Sequence, residues 1–194
     1  MSKKQTELAP LYTRWGQELE RTSPLPDYPR PQMVRDNWLN LNGLWQYAIV
    51  DSKADHPPQE MDGEIVVPFS PESLLSSVGT QLLPHQTLWY SRTVTLAIPR
   101  NKRALLHFGA VDQNCTVYCN GKKAGNHEGG YWPFCFDVTE LLQSGDNLFT
   151  VSVTDASKDV YKRQTLYSCF VSSIVHPPVL KRQISVIRNF FTQF

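Results

Sequence analysis

Nowhere in the 194 residues does an apolar run approach the roughly 20 residues that a membrane-spanning helix needs. Met1-Ser2-Lys3-Lys4-Gln5-Thr6-Glu7 is polar and charged but leads into no apolar segment of the secretory type. A cytoplasmic location is therefore expected, with no membrane partner. An excess of charge is lacking too. The 19 basic and 18 acidic residues leave a net charge of +1, and the basic ones stand in short mixed clusters. Such a surface gathers neither nucleic acid nor anionic lipid. Cysteine is scarce: Cys115, Cys119, Cys135 and Cys169 contain no C-x-x-C pair, and no histidine pair stands at ligand spacing. No metal and no cofactor are expected, and free thiols in a reducing compartment fit this usage. Asn114-Cys115-Thr116 has the form of a glycosylation acceptor, which that compartment would leave unused.

Glycine is outnumbered by proline, 10 to 14, and the prolines are concentrated near the start. Pro24, Pro26, Pro29 and Pro31 fix φ and remove donors, so residues 1–36 read as an extended arm lying against a domain. Leu11, Trp15 and Leu19 have the spacing of one apolar face of a short helix within it.

From Trp38 onward the pattern changes to period two. Leu88, Tyr90, Val94, Leu96 and Ile98 share one face of a strand that Arg92 interrupts. Residues 44–50, 64–67, 103–108, 115–119 and 147–153 read similarly. In the last of these Phe149, Val151 and Val153 face inward, with Thr150, Ser152 and Thr154 outward. Asn120-Gly121 directly after Cys119 predicts a hairpin turn, since both residues tolerate positive φ. Many short strands, no long amphipathic helix and no internal repeat predict an all-β antiparallel sandwich over residues 37–157.

Several strings in this stretch, in order, resemble the N-terminal sugar-binding domain of family 2 glycoside hydrolases, the β-galactosidases, β-glucuronidases and β-mannosidases. They are Arg30-Pro31-Gln32-Met33-Val34-Arg35 leading into Trp38-Leu39-Asn40-Leu41-Asn42-Gly43-Leu44-Trp45; Ile65-Val66-Val67-Pro68-Phe69 with Pro71-Glu72-Ser73; Leu88-Trp89-Tyr90-Ser91-Arg92; and Leu106-His107-Phe108-Gly109-Ala110-Val111-Asp112 running on to His127-Glu128-Gly129-Gly130-Tyr131. The series closes on Phe136-Asp137-Val138-Thr139 and Gly145-Asp146-Asn147. The resemblance implies a jelly-roll β-sandwich of the galactose-binding-like type. It implies, too, that an immunoglobulin-like domain and a TIM barrel follow in the parent enzyme, the barrel supplying an acid/base and a nucleophile glutamate. Retaining hydrolysis uses two carboxyl groups about 5 Å apart, and a barrel takes about 250 residues. Fewer than 40 residues follow Asp155, so no catalytic residue is assigned in this chain. Carbohydrate is then a partner through the parent enzyme, which is expected to form a homo-oligomer. The alternative is a free-standing carbohydrate-binding or domain-docking module without hydrolase activity.

The candidate site residues are His127, Glu128, Tyr131, Trp132 and Asp155, as substrate-binding or inter-domain contacts. His127-Glu128-Gly129-Gly130-Tyr131-Trp132-Pro133 packs an imidazole, a carboxylate and aromatic rings around two glycines, suited either to sugar hydroxyls and the missing barrel or to a structural turn. Asp155 matches the first acidic residue of a family motif whose second, three residues on, reaches toward substrate in relatives; Lys158 stands there in this chain. Trp38, Trp45, Trp89 and Phe108 can be read as sugar platforms or as core, and strand positions favour core for the last three. Asp112, Glu72 and Asp137 read as turn-capping or surface carboxylates.

Residues 158–194 do not continue the strand pattern. Asp159-Val160-Tyr161-Lys162-Arg163-Gln164 is the in-frame translation of GATGTGTATAAGAGACAG, a transposon end used in preparing sequencing libraries. This segment is expected to come from a joined sequence rather than from the natural gene.

Overall fold

The computed structural model describes residues 12–28, 32, 34–51, 56–97, 102–155 and 171–172. Strands dominate: β1 (Gly43–Val50), β2 (Gly63–Val67), β3 (Thr87–Leu96), β4 (Leu105–Phe108), β5 (Asn114–Cys119), β6 (Lys122–Glu128), β7 (Phe134–Asp137), β8 (Gly145–Thr154) and β9 (Val171–Ser172). Six form an antiparallel sheet in the order β2-β1-β3-β8-β5-β6, and three form a second in the order β7-β4-β9. Non-sequential neighbours such as β3 and β8 are what a jelly-roll sandwich requires.

Alternation along each strand decides what the two sheets bury between them. Trp45, Leu88, Tyr90, Val117, Phe149, Val151 and Val153 from the larger sheet meet Leu106 and Phe108 from the smaller in one apolar cluster. Phe108 stacks on Phe134 with centroids 4.8 Å apart, an aromatic pairing that adds to the burial. Trp45 and Phe108 are thus core residues, as is Leu106. Trp89 is fully buried as well, but on the opposite face of β3, where Tyr118 lies 6.1 Å from it.

Three sequence expectations are corrected. The helix is a single turn, α1 (Arg14–Gln17), capped by the Thr13 hydroxyl accepting from the Gly16 amide at 3.1 Å. Trp15 is exposed and Leu19 lies beyond the helix, so no apolar face forms; Leu11 falls outside the described residues. The β3 strand is buried on both faces from Thr87 to Ser91 rather than half-buried, and Ile98 falls outside the described residues. Thr150 faces outward yet is buried.

Of the arm, the described residues 22–25 contact the start of the sandwich. The Asn42 amide donates to the Pro24 carbonyl at 3.3 Å and the Asn40 amide to the Leu25 carbonyl at 3.1 Å. Gly43, at φ +121°, meets the Thr22 carbonyl so closely that any Cβ would clash with it. Arg92, the interruption in β3, donates from Nη1 to the carbonyls of Leu41 and Asn42, which ties the arm's exit to the central strand. Trp38 packs edge-on against Tyr28 at 5.0 Å within this region.

The expectation that residues 158–194 leave the strand pattern is corrected in one place, since Val171–Ser172 forms β9 and pairs with β4 in the second sheet; the rest of 158–194, Lys158 included, lies outside the described residues.

Candidate functional site

The β5–β6 hairpin builds the region to which the site residues belong. Its turn is Asn120-Gly121, at φ 51° and 75°, closing on the pair Cys119 and Lys122. Asn120 is held from several sides: its Oδ1 accepts from Leu148 N, and its Nδ2 donates to Leu141 O and Asn147 Oδ1. A register shift between Val117 and Tyr118 leaves Ala124 as the extra residue of β6. That bulge resets the alternation, so Lys123, Asn126 and Glu128 all face outward while Ala124 packs toward the core.

His127 is half-buried. Its ring stacks on Phe134 with centroids 4.0 Å apart, and its Nε2 lies 3.1 Å from the Gly129 carbonyl oxygen. Glu128, next along the strand, is exposed. The turn that follows is braced from below: the Gly129 amide donates to the Gln113 carbonyl at 2.8 Å, and Gly130 sits against the Asp112 carboxylate with no room for a Cβ. From this base Tyr131 and Trp132 project into solvent, 69% and 64% exposed. Of the candidate segment, Tyr131 and Trp132 are exposed, while His127 is engaged by Phe134 and the Gly129 carbonyl.

Asp155 lies at the end of β8, only 5% exposed, and joins the same end of the sandwich. Asn114 pairs with both Thr154 and Glu128, so the last residues of β8 and β6 flank the start of β5. His127, Glu128 and Asp155 therefore lie at the same end of the larger sheet, on either side of β5, and Asp112 and Asp155 both hold interaction partners within the fold. Among the described residues no cluster of His, Cys, Asp and Glu has the makings of a metal site. The remaining acidic candidates are structural: Glu72 Oε1 accepts from Leu82 N, and Asp137 accepts from Thr139 and Arg103. Burial raises the Asp137 carboxyl, and the contacts with Thr139 and Arg103 outweigh it, leaving it below the ordinary range.

A second feature escapes the sequence motifs. The outer face of β8, β5 and β6 is an open groove of about 390 Å³. Its floor is laid in rows by the strand register: Thr154, Asn114 and Glu128; then Ser152, Thr116 and Asn126; then Tyr118 and Lys123. Outward polar alternation along β5 and β8 marks this face in the sequence, but the bulge that brings Lys123 onto it carries no sequence signal.

Comparisons with known proteins bear on the whole arrangement. The family model described as glycosyl hydrolases family 2, sugar binding domain, matches residues 79–176, about half of the chain. The β-glucuronidase of Canis lupus familiaris is 31% identical across 79% of this chain and 29% of its own length. The β-galactosidase of Thermoanaerobacter pseudethanolicus is 43% identical over 56 residues, 28% of this chain and 8% of its own. Among solved structures, the Faecalibacterium prausnitzii β-glucuronidase superposes with a TM-score of 0.51 at 29% identity, over 63% of this chain and 22% of that one. The chain spans from 8% to 29% of the length of these curated relatives. On the family match and the sandwich together, this chain belongs to glycoside hydrolase family 2 and carries its N-terminal sugar-binding domain.

Proposed function

We propose that this chain is the non-catalytic sandwich of a retaining β-glycosidase, of the kind its relatives named β-glucuronidase represent, and that the hydrolytic carboxylates lie in sequence beyond it. The observation that carries the reading is the family match on a sandwich spanning less than a third of its relatives' length. Retaining cleavage uses one carboxyl as acid and then base and a second as nucleophile, about 5 Å apart. At the candidate end of this sandwich Asp112 and Asp155 are engaged within the fold, and Glu128 stands exposed on an outer strand. These are the properties of a supporting surface.

The loop from Gly129 to Pro133 suits that role. Its base is fixed by Gln113 and Asp112, and two aromatic side chains are held out with nothing of the sandwich over them. In the parent enzyme Tyr131 and Trp132 pack on the following immunoglobulin-like and barrel domains and shape the substrate pocket from outside the barrel. The parent works in the cytoplasm as a homo-oligomer; the free thiols of Cys115, Cys119 and Cys135 support a reducing compartment.

The test is hydrolysis of 4-nitrophenyl β-D-glucuronide and β-D-galactoside by the 194-residue chain and by the product of the complete locus. The short chain is expected to release no nitrophenol, and the complete product to release it with retained anomeric configuration. Turnover by the short chain, or none by the complete product, overturns the reading.

A further inference from the structure

We infer that two copies of this chain pair edge to edge through β6, antiparallel and about a two-fold axis at His127. Asn126 of each copy then stands opposite Glu128 of the other, and the two six-stranded sheets become one. The inference concerns this chain alone and does not rest on the hydrolase reading.

The open edge is the first observation. β6 ends the larger sheet: it pairs with β5, and among the described residues no strand lies beyond it. At its far end the Gly129 amide donates to the Gln113 carbonyl, which fixes the direction of the backbone there. Backbone groups alternate in direction along a strand, so Asn126 and Glu128 turn their amides and carbonyls away from β5. Both side chains are exposed and hold no partner among the described residues. A row of unpaired backbone groups on a sheet edge is a template for another strand.

What bounds that edge is the second observation. Nearer the turn, Ala124 is the extra residue of the bulge, and Lys122 and Lys123 stand exposed. Bulges and lysines are the devices that keep an edge strand from pairing along its whole length. They leave the stretch from Gly125 to Gly129 open. A two-fold contact there spends that stretch on both copies at once, so the assembly closes at two subunits instead of growing.

The side chains then choose the register. Glu128 opposite Glu128 of the partner would set two carboxylates together, which is destabilising. Asn126 opposite Asn126 of the partner would carry the bulge at Ala124 into the pairing. The register that remains places Asn126 opposite Glu128 of the partner, twice over, and each amide can donate to a carboxylate. Lys123, which faces the same way as Asn126, then lies diagonal to that carboxylate and complements its charge. Gly125 comes opposite Gly129 of the partner, where neither residue has a side chain to hold the strands apart. At the axis each His127 ring stays stacked on Phe134 of its own sandwich.

The test is sedimentation equilibrium of the 194-residue chain from roughly 10 µM to 1 mM, the range in which a small interface of this kind dissociates. The mass is expected to rise from 22.2 kDa toward twice that value and no further. Asn126→Pro removes an outward amide that the monomer does not use, a change an edge strand tolerates, and should weaken dimerisation about tenfold. Glu128→Lys should weaken it similarly, and Lys123→Glu added to Glu128→Lys should restore most of the loss, which a folding defect would not allow. A chain that stays monomeric at the highest concentration leaves the edge to a strand of another protein and overturns the inference. Growth past the dimer overturns it too, as does dimerisation that Asn126→Pro and Glu128→Lys both leave unchanged. None of these outcomes bears on whether the complete locus encodes a hydrolase.

Discussion

The ring of Phe136 lies over the Cα of Gly125 so closely that a methyl group on that carbon would overlap ring atoms Cδ1, Cε1 and Cζ. Gly125 pairs with Val117 on the inward side of β6, and Phe136 comes across from β7 in the other sheet. One residue gives up its side chain so that another can fill the space where β6 closes over the core.

Gly125→Ala therefore overpacks this corner and should cost about 2 kcal/mol of stability. Urea unfolding followed by tryptophan fluorescence measures it, and Phe136→Leu added to Gly125→Ala should recover part of the loss. Additive effects of the two substitutions would mean that the contact carries no strain.

The same pair shows where the sequence is legible and where it is not. Strands β1, β2, β3, β5 and β8 can be read from alternation because each carries its own inward side chains, such as Trp45, Ile65, Tyr90, Val117 and Phe149. The β6 strand cannot: its inward positions are Ala124, Gly125 and His127, and the apolar volume above them belongs to Phe134 and Phe136 of β7. The hydrophobic signal for one strand is thus written in another. The exposed pair Tyr131 and Trp132 is legible from its flanking glycines. The groove beside it is not, because a sheet bulge and a three-strand register assemble it from residues far apart in the chain.

Asn147 is fully buried, and its amide is completely used. Nδ2 donates to the carbonyls of Gln143 and Gly145, and Oδ1 accepts from Gln143 N and Asn120 Nδ2. Asn147→Ala strands several of these groups and should cost about 3 kcal/mol, read as a lower thermal midpoint. Little change would show that the turn before β8 reorganises freely.

Burial pushes the Cys115 thiol up to about 12, with a backbone hydrogen bond at His127 offsetting part of the effect, and pushes Cys119 up to about 11, both from an ordinary value of 9.0. The unfolded chain releases these protons first, so the stability they represent is fully present below about pH 9 and is lost as pH climbs through the folded-state values. Iodoacetamide at pH 8 should modify the exposed Cys135 and spare Cys115 and Cys119, as peptide mass spectrometry would establish. Rapid modification of Cys115 would contradict its placement in the core.

Trp132→Ala and Tyr131→Ala remove side chains that contribute little to the sandwich, so the isolated chain should keep its stability within about 0.5 kcal/mol. In the product of the complete locus the same changes should lower thermal stability or raise KM, because the docking face is lost. A double variant indistinguishable from the parent in both settings would remove the loop from the interface.

The most direct measurement is a long-read sequence of the source locus, from the codons for Asp146 past those for Phe194. The account predicts that the natural reading frame continues past this sequence into an immunoglobulin-like domain and a barrel carrying two glutamates. A native frame that stops after Phe194 would contradict it.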